Sequence, residues 1–161
     1  MRRGYLRNFV FGAEDSLVST VGLLSGVSFA GLSNREIILS GVILILVESI
    51  SMGAGVYLSE DSANDLPQSG ERDNTIADAG IMLVSYLIIG LIPLLPYVFS
   101  ADAKVGFYYS VGFSLISLFW LGLFKGYVVG KHPVYSAIKV FLVGGLVTVI
   151  AVGVGLLIKS F

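Results

Sequence analysis

Five apolar runs, each close to the length that crosses a bilayer, constrain this chain more than any other feature. A spanning helix needs about 20 mainly apolar residues, and the runs predict such helices at residues 10–32, 37–58, 79–99, 106–129 and 134–158. Only 13% of the residues are charged and the mean hydropathy is +0.89, whereas about 25% are charged in soluble domains. The sequence therefore predicts an all-α integral membrane protein, with five transmembrane helices in a single membrane domain over residues 1–161.

The connections between these runs determine how the predicted helices are arranged. Most are short, so neighbouring helices must be antiparallel. Only residues 59–78 are longer, and we expect them to form an acidic, solvated loop with a helical extension at either end, too short to fold as a domain. Lys and Arg are in excess on the cytoplasmic side of short loops, and here they favour the side that holds the N-terminus and loop 59–78. We therefore expect a cytoplasmic N-terminus and an outside C-terminus, in the plasma membrane of a prokaryote.

The composition also excludes several classes of function. The chain has no cysteine, which removes disulfides, thiolate metal sites and thiol nucleophiles. Its net charge of -1 shows no basic surplus that would suggest a nucleic-acid partner. No nucleophile with a base, phosphate-binding loop or cofactor motif is present. We expect neither an enzyme nor a protein with a bound cofactor.

The first run contains a carboxylate, Asp15, where lipid-facing residues would be apolar. An ionised group at bilayer depth costs several kcal/mol, so it requires a partner, a proton or a function. Asp15, Ser19, Gly22 and Gly26 recur at helical spacing and predict one small and polar stripe. Glycines at this spacing let helices approach closely, which indicates a helix-packing or dimer-interface role for Gly22 and Gly26. The alternative for Asp15 is a helix cap at headgroup level.

The second run contains Glu48 about half way along it, with Met52 one helical turn later on the same face. A carboxylate and a thioether together suit Fe²⁺ or Mn²⁺ better than Mg²⁺ or Ca²⁺, which bind oxygen ligands. Because metal ions and protons compete for carboxylates, metal movement would be coupled to proton movement. Methionine in a membrane helix is more often packing material, so the interpretation depends on Glu48.

The loop over residues 59–78 is strongly acidic. Its acidic residues are Glu60, Asp61, Asp65, Glu71, Asp73 and Asp78, against the single Arg72. Such a loop can concentrate divalent cations by electrostatic focusing, with Glu60 and Asp61 at the cytoplasmic entrance; the alternative is a solvated loop with no such role. Lys125, near the inner end of the fourth run, is expected to extend its ammonium group to the inner surface.

Several stretches carry a family resemblance. Residues 11–20, Phe-Gly-Ala-Glu-Asp-Ser-Leu-Val-Ser-Thr, followed by Gly22 and Gly26, resemble the first-helix motif of the vacuolar iron transporter family. Residues 51–59, Ser-Met-Gly-Ala-Gly-Val-Tyr-Leu-Ser, resemble its second-helix motif. The stretches 92–97, 121–126 and 136–145 are similar to its last three helices. The resemblance thus extends, in order, over nearly the whole chain.

The resemblance implies a homodimer that exports Fe²⁺ or Mn²⁺ from the cytosol in exchange for protons. The path would lie between the first and second helices at the dimer interface, with Asp15 and Met52 as path residues. Asn8 stands where the family usually has an acidic residue, and Leu44 where it often has a glutamate that Glu48 could replace. The chain also lacks the cytoplasmic insertion between helices two and three that collects metal in plant members.

Two other functions remain open at this point. One is a membrane scaffold or assembly partner that has the same fold and transports nothing, which is consistent with the missing insertion. The other is a transporter of a different divalent cation.

Overall fold

The computed structural model describes residues 3–65 and 74–161, and within them the chain is helical with no strand. The helices are α1 (Arg3–Ala30), α2 (Asn34–Asn64), α3 (Thr75–Phe99), α4 (Ala103–Val129) and α5 (Pro133–Lys159). Most of their ends lie beyond the apolar runs. The apolar runs correspond to the part that lipid can accept, whereas polar residues on either side continue the same helices.

Local capping explains where the helices begin and end. At the start of α2, the Ser33 backbone N–H donates to the Glu36 carboxylate at 2.8 Å and the Glu36 backbone N–H donates to Ser33 Oγ at 3.4 Å, which forms a capping box. The side chains of Asn74 and Asp102 accept backbone N–H groups in the first turns of α3 and α4. Gly130 ends α4 at φ 72°, in the left-handed region that glycine adopts without strain.

Helix α1 lies in the middle of the bundle and contacts all four other helices. Leu24 of α1 belongs to a core cluster with residues of α2 and α3. Leu17, two turns earlier, packs with Leu118 of α4 and Val140 of α5. Of the large apolar side chains that are exposed, Phe11 is the one that α1 contributes among the described residues. The other helices therefore shield α1 from the surroundings of the bundle.

Four helices, α2 to α5, are long and apolar enough to cross a membrane, judged over the described residues. Helix α1 is not among them. Its central position explains why, since an interior helix can carry buried hydroxyls such as those of Ser16, Thr20 and Ser25 that lipid would not accept. The chain is therefore an integral membrane protein by its apolar helices. Of the five spanning helices that the sequence predicts, four are long and apolar enough to cross a membrane, judged over the described residues.

Helices α1 and α5 approach most closely along the predicted glycine stripe. A Cβ on Gly22 would lie 3.1 Å from Val147 Cγ1, and one on Gly26 would lie 3.1 Å from the backbone oxygen of Ala151. A Cβ on Gly155 of α5 would overlap the backbone oxygen of Gly26. The stripe is thus a contact between helices of the same chain, and α5 covers the face that Gly22 and Gly26 form.

Hydroxyl groups connect α1 to α3. Ser16 Oγ donates to the backbone oxygen of Tyr86 at 2.6 Å, and Ser19 Oγ and Tyr86 Oη are 2.6 Å apart. Ser28 and Tyr97 form a similar pair at 2.9 Å, nearer the other end. Inside a low-dielectric bundle such bonds have little competition from water. They hold the α1 segment around Asp15 at a defined position relative to α3.

In the structure α2 continues to Asn64 and α3 begins at Thr75, so both ends of the predicted loop 59–78 are helical. Glu71 and Asp73 of that loop lie outside the described residues. The prediction was wrong for Asp78, which is a buried residue of α3 with 1% of its surface exposed. Asn8 Nδ2 of α1 donates to Asp78 Oδ1 at 2.6 Å, which compensates for part of the hydration that burial removes.

Candidate functional site

A groove of about 1230 Å³ opens between α1 and α2. Its walls are α1 from Leu6 to Glu14 and α2 from Ser51 to Glu60, and it also includes Met82 of α3 and Lys125 of α4. The N-terminal half of α1 and the C-terminal half of α2 lie at the same end of the bundle, as antiparallel neighbours must. The groove therefore opens at the end that carries the N-terminus and the α2–α3 connection.

Two of the predicted metal-site residues line this groove, namely Met52 and Glu60. Asp15 and Glu48 are half-buried and are not part of the groove lining. Asp15 directly follows the lining residue Glu14, and Glu48 lies one helical turn before the lining residue Met52. Asp61 is exposed on α2, beside Glu60 and outside the groove lining. The structure thus brings a thioether and a carboxylate of the predicted set into one cavity.

Asp15 is close to other carboxylates. It interacts electrostatically with Glu48 of α2 and with Glu14 of its own helix. The hydroxyl of Tyr86, which is bonded to Ser19, also interacts with Asp15 and Glu48. Like charges near each other in a partly buried site repel, and a cation between them would relieve that repulsion. The middle of α1 and of α2 therefore holds a group of acidic side chains, Glu14, Asp15 and Glu48.

Two ion pairs that line the groove were not predicted from the sequence. Lys125 Nζ donates to Glu14 Oε2 at 2.9 Å, so its ammonium group contacts a carboxylate of α1 that was not predicted as its partner. Arg7 pairs with Glu60 across the α1–α2 gap. The sequence did contain an indication of the first pair, because Glu14 and Lys125 are opposite charges within two different apolar runs and such charges are expected to pair.

The ligand set within one chain is incomplete. Among residues 3–65 and 74–161, no three His, Asp or Glu side chains lie close enough together to hold a metal ion. The available donors are the Met52 sulfur, carboxylates and hydroxyls such as those of Ser51 and Ser59. One protomer therefore offers a mixed oxygen and sulfur surface to a divalent cation, but not a closed coordination shell.

Comparison with known proteins identifies the family. The sequence model of the VIT family matches this chain over residues 6–74 and 66–156. The chain belongs to the VIT family. The family model matches this VIT protein in two segments that overlap at residues 66–74, between α2 and α3. That is where the sequence predicted a missing insertion.

Individual relatives agree with this assignment. The "Vacuolar iron transporter" of Centaurea cyanus is 26% identical over 209 aligned positions, which cover 92% of this chain and 85% of the relative. "Vacuolar iron transporter homolog 3" of Arabidopsis thaliana is 29% identical and covers 99% of this chain and 86% of its own length. "Vacuolar iron transporter 1" of Oryza sativa is 35% identical over 53% of this chain. These names describe transporters and not enzymes.

Proposed function

We propose that this VIT protein moves Fe²⁺ or Mn²⁺ out of the cytosol in exchange for protons, across the plasma membrane of a prokaryote. The observation that carries the proposal is the groove between α1 and α2, whose lining includes Met52 and the carboxylates of Glu14 and Glu60. The family supports metal-ion transport as the class of function. The choice of ion and the proton coupling follow from the chemistry of the donors.

The donor set favours a first-row transition ion. Thioether sulfur is a soft ligand that Mg²⁺ and Ca²⁺ do not use, whereas carboxylate suits Mn²⁺ and Fe²⁺. Ions would enter past Glu60 and Asp61, contact Met52, and continue along Asp15 and Glu48, which interact with each other. Carboxylates that bind a divalent ion release any proton they carry, so the carboxylates along this path can couple metal movement to proton movement.

A second copy of the chain completes the path in this proposal. Ser51, Gly55 and Ser59 follow each other at helical spacing on an exposed strip of α2 beside Glu48 and Met52, and nothing lies within 4 Å of a Cβ built on Gly55. A small and polar strip of this kind is a poor lipid surface but lets another helix approach closely. Packing two α2 helices along it would bring two Met52 and two Glu48 side chains together.

Transport by purified protein in lipid vesicles tests the proposal. Vesicles with an acidic interior should take up external Mn²⁺, and Met52→Leu and Glu48→Gln should each reduce the initial rate at least about tenfold, the effect of about 1.4 kcal/mol in ion binding. Both changes keep the size of the side chain, so loss of folding is not expected. Asp102→Asn is a matched control, because it removes an acidic charge from an N-cap distant from the groove and asparagine caps equally well.

Several outcomes would reject parts of the proposal. Wild-type rates in both variants would show that Met52 and Glu48 do not line the path. No Mn²⁺ or Fe²⁺ uptake by the wild type, with uptake of Co²⁺, Ni²⁺ or Zn²⁺, would favour a different divalent cargo. No uptake of any of these ions, by a protein that binds none of them in detergent, would favour the non-transporting scaffold.

A further inference from the structure

Each carboxylate on the groove is already paired with a cation of the chain. Glu14 accepts a hydrogen bond from Lys125 at 2.9 Å, and Glu60 pairs with Arg7. All four side chains line the groove. A metal ion that binds there must therefore compete with charges that the protein itself supplies.

The cations of the two pairs differ in the exposed fraction of their side chains. The Arg7 side chain is 65% exposed and its partner Glu60 is 15% exposed, whereas the Lys125 side chain is 40% exposed and its partner Glu14 is 25% exposed. Salt and water weaken exposed pairs more than partly buried ones. Lys125 is thus the less exposed of the two cations and the less screened by water and salt.

Local packing fixes the backbone that carries Lys125. The ring of Phe124 contacts Phe9 of α1 edge-on, with centroids 6.5 Å apart. On the other side, a Cβ on Gly126 would lie 2.6 Å from Pro133 Cα of α5, so the two helices touch at this glycine. The backbone is held by α1 and α5, while the four-carbon side chain of lysine can still move. Its ammonium group is a compact point charge with no fixed geometry.

We propose that Lys125 is an exchangeable counter-ion of the metal path. It occupies Glu14 when the groove holds no metal, and an entering divalent cation displaces it because a double charge is attracted more strongly to the same carboxylate. This role rests on the proposed function. Its consequence is that metal is bound weakly enough to be released, which conduction through a site requires.

Binding of Mn²⁺ to the purified full-length protein in detergent tests the role directly, with free Mn²⁺ measured by its electron paramagnetic resonance signal. Lys125→Gln should tighten Mn²⁺ binding about tenfold or more, which corresponds to about 1.4 kcal/mol, because the competing charge is gone. Glu14→Gln should weaken binding. Lys131→Gln is the matched control, since Lys131 is exposed in the α4–α5 turn near the same end of the bundle, and it should leave the affinity unchanged.

A gain in affinity cannot arise from partial unfolding, so the sign of the change is decisive. A folded Lys125→Gln protein that binds Mn²⁺ as the wild type does, or more weakly, overturns the proposal while the proposed function stands. If Lys125→Gln does not fold, Lys125→Arg decides: its guanidinium can hold Glu14 with two bonds and should weaken Mn²⁺ binding, and an unchanged affinity overturns the role. Failure of both the wild type and Lys125→Gln to bind Mn²⁺ overturns the role of Lys125, and the vesicle assay with Fe²⁺ and Mn²⁺ then decides the proposed function separately.

Discussion

The contact between Gly155 of α5 and Gly26 of α1 gives a prediction about how α1 is held. In Gly155→Ala the new Cβ would overlap the backbone oxygen of Gly26, and it would lie 3.0 Å from the carbonyl carbon of Gly26 and 3.1 Å from the nitrogen of Ala30. The obstacle is backbone, which cannot rotate away as a side chain can, so α1 and α5 must separate locally. Overpacking of this kind costs about 1–3 kcal/mol, and backbone contact favours the upper part of that range.

The helix propensity of alanine reduces this cost. Alanine is about 1 kcal/mol better than glycine inside a helix, which leaves a net loss of about 1–2 kcal/mol for Gly155→Ala. For a chain of this length that corresponds to a decrease in Tm of roughly 2–8 °C. Thermal unfolding in detergent, followed by circular dichroism or by size-exclusion chromatography after heating, measures the decrease.

Gly153 supplies the matched control for this measurement. It lies two residues earlier in the same helix, and nothing is within 4 Å of a Cβ built there. Gly153→Ala should therefore leave Tm unchanged or raise it. An equal decrease in both variants, or none in Gly155→Ala, would refute the inference that a close α1–α5 contact holds the central helix.

Three further predictions each concern a single side chain. Asn8→Ala should lower stability by about 1–3 kcal/mol, because it removes a hydrogen bond to a buried carboxylate, that of Asp78; an unchanged Tm would contradict this. Tyr86→Phe should lower stability by only about 0.5–1.5 kcal/mol, since it removes the hydroxyl group that bonds to Ser19 and keeps the ring. Tyr108→Phe is the control, because the Tyr108 side chain is exposed, and it should leave stability unchanged. The single tryptophan, Trp120, is 66% exposed on α4, so brominated acyl chains should quench its fluorescence in bilayers; absence of quenching would show that this face does not meet lipid.

Much of the helical architecture follows from local sequence. The apolar runs locate α2 to α5, because each of these helices exposes many large apolar side chains. Capping residues such as Ser33 and Asp102 then mark where helices begin. Helix α1 is harder to classify by hydropathy, since its neighbours shield it and its sequence need not be apolar all round.

The candidate site could be predicted only in part, because some of its contacts join residues that are far apart in the sequence. Met52 and Glu60 could be selected because each stands out within its own segment. The Glu14–Lys125 pair joins residues 111 positions apart, and no local pattern specifies which lysine reaches which carboxylate. Asp78 was assigned to the loop because its neighbours are polar, but its environment is determined by Asn8 across the bundle. Long-range packing decides such contacts.

The central claim is that metal and protons move in opposite directions through this protein. The most direct test is to measure both fluxes at once in vesicles that contain the purified wild-type protein, with a metal-sensitive dye and a pH-sensitive dye enclosed. When the interior is acidic and Mn²⁺ is added outside, Mn²⁺ should enter and the interior should become more alkaline at a proportional rate. Entry of Mn²⁺ without a pH change would contradict the exchange, and rates equal to those of protein-free vesicles would contradict transport itself.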